Sequence, residues 1–285
     1  MIDTIRTFGR ERAPMAWRND CQPLEVQLGG VHVQVMSSAT LLDLVSQRLI
    51  SGRPLFLASA NLDHVHHFGA GSGRTEVCRS DDLVDWLVLL DGMPLVWRAR
   101  QLTGAPCSRL AGADLFPALL GRAGRTGARF GVLGGSAEMH AALRAVLEQT
   151  QPDLRIAGMW SPNRAEICDG AAARRYADQI RDAGVDVLAV ALGKPLQEAW
   201  LYRFGAYTQI RVGLAFGAAC DFLAGMSERA PDFMRERGLE WLFRLSHEPR
   251  RLAGRYLVRG PADLTRLMLD SQPPTPTSSV APRGG

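Results

Sequence analysis

The stretch ARFGVLGGSAEMHAALRAVLEQTQPDLRIAGMWS, residues 128–161, decides the fold. Its first part, ARFGVLGGS (128–136), is a short apolar run that ends in glycines, the pattern of a strand entering a turn. Residues 137–152 read as a helix, and LRIAGMWS (154–161) as the next strand. A strand, a helix and a second strand in succession imply parallel pairing, because the chain must cross back over the sheet before it can run the same way again.

The same alternation extends in both directions. Upstream, VHVQVMS (31–37), PLFLASAN (54–61) and DWLVLLDG (85–92) read as strands, and residues 40–52 and 113–127 as helices. Downstream, AEICDGAAARRYADQIRDAG (165–184) and LQEAWLYRFGAY (196–207) are helical. VDVLAVALGKP (185–195) is a strand, and IRVGLAFGAACDFLAG (210–225) a strand followed by a glycine turn. Apolar strands alternating with helices predict an α/β fold, a parallel-sheet Rossmann-like core with helices on both faces.

Around this core, residues 23–226, the composition changes. Residues 1–22 are polar, Arg-rich and unpatterned, and are expected to form a flexible leader without the apolar segment of a signal peptide. Residues 227–270 show no strand pattern and mix bulky apolar residues with eight arginines between Arg229 and Arg259, which predicts an amphipathic helical appendage. The Pro-, Ser- and Thr-rich segment from Ser271 to Gly285 is expected to be disordered.

Bulk composition excludes several classes. Apolar residues make up 46% and charged residues 22% of the 285, which is ordinary for a globular protein. The net charge of +4 is carried almost entirely by arginine, with Lys194 the one lysine, and does not by itself indicate nucleic acid; no nucleic-acid partner is expected. Five scattered cysteines without a C-x-x-C pair argue against a disulfide framework or a zinc site and fit a reducing compartment. No run approaches the roughly 20 apolar residues of a membrane span. The appendage is instead suited to an anionic membrane surface, through residues 227–260, with apolar side chains toward lipid and arginines toward head groups.

In an open parallel sheet, ligands bind beyond the carboxyl ends of the strands. Here those ends read Ser59-Ala60-Asn61, Asp91-Gly92, Gly134-Gly135-Ser136, Gly193-Lys194-Pro195 and Gly217, so they are expected to converge on one crevice. Asp91 is placed to act as a catalytic carboxylate, with helix capping as the alternative, and Gly92 is expected to let the backbone turn sharply. The glycines before residue 137 resemble an anion-binding turn but match neither G-x-G-x-x-G nor a Walker A motif. DHVHH (63–67) invites a metal reading, yet without a second cluster it fits a polar helix start better.

Taken in order, a set of motifs resembles the WecG/TagA/CpsF family of bacterial glycosyltransferases. They are NLDH (61–64), DGMPLVW (91–97), SRLAGADL (108–115), FGVLGGS (130–136), ALGKPLQEAW (191–200), FGAACDFLAG (216–225), and the arginine-rich block from Arg229 to Arg251 containing GLEWLFRL. The resemblance implies an α/β core with a C-terminal helical appendage. It implies inverting transfer of N-acetylmannosamine, its uronic acid or glucose from a UDP-sugar to a sugar on a polyprenyl diphosphate, in cell-surface polysaccharide or exopolysaccharide synthesis. It also implies no metal and no cofactor, and a cytoplasmic enzyme held peripherally on the inner face of the cell membrane by its appendage.

On this resemblance Asp91 is expected to be the base, with Ser59 and Asn61 orienting sugar hydroxyls. Arg109 is expected at phosphates, Gln197 at the sugar, Gly134 and Gly135 beside the nucleotide, and Asp221 at the uridine or bracing its turn. Arg244 and Arg251 would come over from the appendage to the departing UDP. The chain departs from the family pattern at Met93-Pro94, where a second glycine is usual, at Ser59, where threonine is common, and at Cys220 before Asp221. The rival readings are a non-catalytic membrane adaptor of a polysaccharide assembly, and a nicotinamide-dependent oxidoreductase, which the missing G-x-G-x-x-G disfavours. The identity of the sugar and the oligomeric state, a homo-oligomer included, are left open by the sequence.

Overall fold

A computed structural model describes residues 24–274, the side chains of Asp232, Glu236 and Arg251 excepted. The expected leader and the tail beyond residue 274 lie outside the described residues. The strands are β1 (Leu24–Leu28), β2 (Val31–Val35), β3 (Leu55–Ala60), β4 (Asp85–Leu90), β5 (Arg129–Gly134), β6 (Arg155–Trp160), β7 (Val187–Ala191) and β8 (Val212–Ala215). They form one sheet in the order β1-β2-β4-β3-β8-β7-β5-β6, parallel throughout except for β1.

The β1–β2 hairpin was not anticipated. Leu24–Leu28 is a five-residue strand turned at Gly29-Gly30, where φ is +59° and +83°. Two consecutive positive φ values suit the tight hairpin turn that matches sheet twist, and glycine adopts them without strain.

The helices follow the expected alternation, with additions. On the core they are α1 (Ser38–Ile50), α2 (Leu62–Phe68), α3 (Met93–Thr103), α4 (Gly112–Thr126), α5 (Ala137–Thr150), α6 (Arg164–Cys168), α7 (Gly170–Asp182), α8 (Leu196–Phe204) and α9 (Gly217–Leu223). The single helix expected over 165–184 is two, because Asp169 ends α6 and caps α7 with its side chain. Residues 217–223, expected as a glycine turn, are helical.

The central strands are buried on both faces, and alternate residues enter different cores. Phe56 and Ala58 of β3, Trp86 and Val88 of β4 and Leu188 of β7 pack on one side. Leu55, Leu57, Leu87, Leu89 and Ala189 pack on the other, against α1, α4, α5 and α9. This two-residue alternation explains the nearly continuous apolar runs, since a parallel sheet has no wet face.

The appendage comprises α10 (Asp232–Glu236), α11 (Glu240–His247), α12 (Pro249–Ala253), a π-helical turn (Gly254–Arg259) and α13 (Gly260–Leu269). Its last helix is built into the fold. Leu267 is fully buried in the core on the α2 side, and α13 contacts both α2 and α3. Gly29 N–H donates to Ser271 Oγ at 2.9 Å, Gly30 N–H to the Asp270 carbonyl at 2.9 Å, and Gln272 bridges Gln27. Residues 271–274 thus continue the fold on the β1–β2 turn.

Candidate active site

The ends of β3 and β4 are fastened to one another. The N–H groups of Asp91 and Gly92 both donate to the Ala60 carbonyl at 3.0 Å. Asn61 caps α2, its side chain accepting from His64 N–H at 3.2 Å, so NLDH is a helix start. Gly92, with φ −81°, is the N-cap of α3 and Asp91 precedes it, so Asp91 is not a cap and its carboxylate faces the crevice. Gly92 is needed for a different reason than expected. Its backbone is ordinary, but a Cβ there would lie 3.0 Å from Cα and Cβ of Asn61. The glycine lets two strand ends touch rather than letting one bend.

The other strand ends meet this pair. After β7, Lys194 donates to the carbonyl of Ser59. Gln197 Nε2 donates to the Ala215 carbonyl at 2.8 Å and to Glu198 Oε1 at 3.1 Å, and its Oε1 has no hydrogen-bond partner. A Cβ on Gly217 would stand 2.7 Å from that oxygen, so glycine after β8 keeps the amide open. Beneath lie His64 and Glu198, both without solvent exposure, Nδ1 and Oε1 4.0 Å apart. Burial, then the charges of Lys194 and His67, hold His64 well below the usual histidine range, so the ring is neutral at pH 7. Burial likewise raises Glu198 despite Lys194 at 3.9 Å.

Two cavities meet over these ends. A polar one of about 320 Å³ is lined by Ser59, Gln197 and Asp221, among others. A more apolar one of about 380 Å³ lies between α3 and the appendage, with Met93, Pro94, Trp241, Tyr256 and Leu264 in its wall. Six residues line both: Asn61, Asp63, Asp91, Glu240, Arg244 and Arg255. Asp91 therefore stands on the partition. It keeps some surface on the cavities but is enclosed by protein, and this burial raises its carboxyl above the usual range. Arg109, Lys194 and Arg244 pull it down and Glu240 pushes it further up.

The appendage forms the facing wall and is held by ion pairs. Asp114 of α4 accepts from Arg109 at 3.1 Å and pairs with Arg229 at 2.7 Å and Arg235 at 3.0 Å. Burial alone would raise it, but Arg229, Arg109 and Arg235 hold it below the usual range. Arg109 also donates to Glu240 Oε2 at 2.9 Å. Arg255 reaches Asp63 at 3.4 Å, and the guanidinium groups of Arg229 and Arg244 lie over the Phe222 ring at 5.3 and 5.7 Å.

Of the residues singled out from sequence, Ser59, Asn61, Asp91, Gln197, Asp221 and Arg244 line the polar cavity, and Arg109 the apolar one. Gly134 and Gly135 line neither cavity. Gly134, with φ +101°, packs where a Cβ would collide with the Ala191 carbonyl, and its own carbonyl meets His140 Nε2 at 2.8 Å. The Arg251 side chain is outside the described set. Asp63, Glu240 and Arg255 were not foreseen. For Asp63 and Glu240 the only signal was an acid embedded in a histidine cluster or in an arginine-rich block, and Arg255 is one arginine among the eight of that block.

A family model described as Glycosyl transferase WecG/TagA/CpsF family matches residues 26–274. The chain belongs to this family. It is therefore a glycosyltransferase of cell-surface polysaccharide synthesis, with a sugar donor and an acceptor as substrates. In this glycosyltransferase the family match begins within β1 and extends past α13, so the appendage wall of both cavities belongs to the matched unit. No helix among the described residues is long and apolar enough to cross a membrane.

Proposed function

We propose that this glycosyltransferase moves N-acetylmannosamine, its uronic acid or glucose from a UDP-sugar to a polyprenyl-diphosphate-linked sugar, with inversion. The observation that carries the reading is Asp91 on the partition between a polar and a more apolar cavity. A nucleotide-sugar suits the first, and a lipid-linked sugar suits the second.

An inverting transfer needs a base for the acceptor hydroxyl and positive charge for the departing diphosphate. Asp91 takes the proton as the hydroxyl oxygen bonds to the anomeric carbon, and the bond to the UDP oxygen breaks. Its raised proton affinity suits that task. Ser59, Asn61 and the unpartnered Gln197 oxygen offer hydrogen bonds to the sugar. Lys194, Arg244 and Arg255 line the polar cavity and stabilise the leaving UDP, with Arg251 assigned the same role. The appendage wall excludes water that would otherwise hydrolyse the donor.

Membrane attachment through the appendage follows the same reading. Leu257 and Val258 are 59% and 74% exposed beside Arg259, an arrangement suited to the inner, anionic face of the cell membrane. The test is a donor panel. Purified protein is incubated with short-chain polyprenyl-diphosphate-sugar and UDP-N-acetylmannosamine, its uronic acid, UDP-glucose or UDP-N-acetylglucosamine, with anionic vesicles present. UDP release with an extended lipid-linked glycan, absent for Asp91→Asn, is expected from one of the first three donors. Turnover of none of those three overturns the proposed donor set.

A further inference from the structure

Arg109 is committed before any substrate arrives. Its side chain is only 16% exposed, and both terminal nitrogens are in use, one on Glu240 at 2.9 Å and one on Asp114 at 3.1 Å. Asp114 divides its charge among Arg109, Arg229 and Arg235. The carboxylate that balances Arg109 is therefore Glu240. Among the described residues, Glu240 is also the one appendage carboxylate that lines both cavities.

We propose that Glu240 is a positioning residue of the transfer reaction. Its carboxylate is the counter-ion that fixes Arg109 at the apolar cavity and cancels its charge beside Asp91. This rests on Asp91 being the base. The charged groups around Asp91 come from several elements. Arg109 precedes α4, Lys194 follows β7, Glu240 and Arg244 sit on α11, and Asp63 of α2 and Arg255 of the π-turn line the same two cavities. Left alone, a cation at Arg109 would stabilise the Asp91 anion and weaken it as a base; Glu240 acts in the opposite sense. The appendage then sets the strength of the base as well as covering it.

The test follows the Asp91 carboxyl directly, in full-length protein labelled with 13C at aspartate carboxyls, the Asp91 signal being assigned by its loss in Asp91→Asn. In Glu240→Gln the Asp91 titration moves to lower pH, in Arg109→Met it moves to higher pH, and in the double variant it returns toward the wild type. Glu240→Asp stays near the wild type. In turnover, Glu240→Gln lowers kcat about tenfold, with the acid limb of the pH profile displaced in the same direction and the donor KM changed far less. An unmoved Asp91 titration in a folded Glu240→Gln protein overturns the inference. Full activity of Asp91→Asn instead overturns the base assignment, and the two failures are read separately.

Discussion

Gly92 stands against Asn61 more tightly than side chains normally pack: a β-carbon there would lie 3.0 Å from both Cα and Cβ of Asn61. The two residues close neighbouring strand ends, one beside Asp91, the proposed base, and the other on both cavities. Gly92→Ala is therefore expected to push the β4 end away from β3. Stability falls by about 1–3 kcal/mol, the usual cost of overpacking, and kcat by about tenfold or more through misplacement of Asp91. Thermal unfolding and turnover measure the two effects. An alanine variant with wild-type kcat would show that the strand ends do not set the geometry of the base.

Asp91→Asn should separate function from stability. Turnover drops by roughly two to four orders of magnitude, the range for losing a general base. Stability moves the other way. The folded-state proton affinity of Asp91 is raised, so the native protein binds protons more readily than the unfolded chain. The favourable contribution of the protonated group is present below the usual aspartate range and is lost as pH rises through the folded value. At pH 7 the asparagine variant is thus more stable than the wild type, and the difference shrinks toward pH 3. Unfolding in denaturant at both pH values checks the sign.

His64 supplies the opposite pH dependence. Its folded-state affinity for protons is depressed, so the unfolded chain binds the proton more readily. Stability is complete above the usual histidine range and declines as pH falls below about 6.5, where the unfolded ring takes up a proton. Both ring nitrogens lack partners and the ring packs on Phe68 with centroids 4.7 Å apart, so an apolar residue is tolerated there. His64→Leu is expected to flatten the stability profile between pH 6.5 and 5. A profile as steep as the wild type assigns the acid sensitivity to other groups.

Asp114→Asn loosens the appendage. One carboxylate currently answers Arg109, Arg229 and Arg235, and the amide keeps its shape without its charge. Limited proteolysis is expected to cut faster between residues 227 and 260, with activity reduced about tenfold because the wall over both cavities is less often in place. Unchanged cleavage would show that the Arg109–Glu240 and Arg255–Asp63 pairs, Phe222 and the buried face of α13 hold the appendage without Asp114.

Much of the architecture was legible because parallel strands announce themselves. Phe56, Leu57, Trp86 and Leu87 are buried whichever face they take, so the runs are apolar throughout. The β1 strand escaped notice because LEVQL is short and lies beside a polar leader, and its antiparallel pairing depends on a glycine turn between near-identical patterns. The crevice was legible from polar residues at strand ends, and Ser59, Asn61, Asp91 and Gln197 do come together there. What no local pattern showed was pairing across distance. Glu240 and Arg109 are 131 residues apart and Asp63 and Arg255 still further, and each pair reads as solvent-facing charge until the appendage folds over the sheet. The helix at 217–223 was missed because its glycine and small residues serve close approach to Gln197 rather than turning.

The bond between Gly29 and Ser271 spans 242 residues. A ribosome adds roughly 5–20 residues per second, so the β1–β2 turn waits tens of seconds after emerging before Asp270, Ser271 and Leu267 exist to cover it. Until then the contacts of Leu267 with the core on the α2 side, and of Asp270 and Ser271 with the turn, cannot form. Covering of the β1–β2 turn is thus a late event in synthesis, tied to the arrival of α13 and the residues just after it.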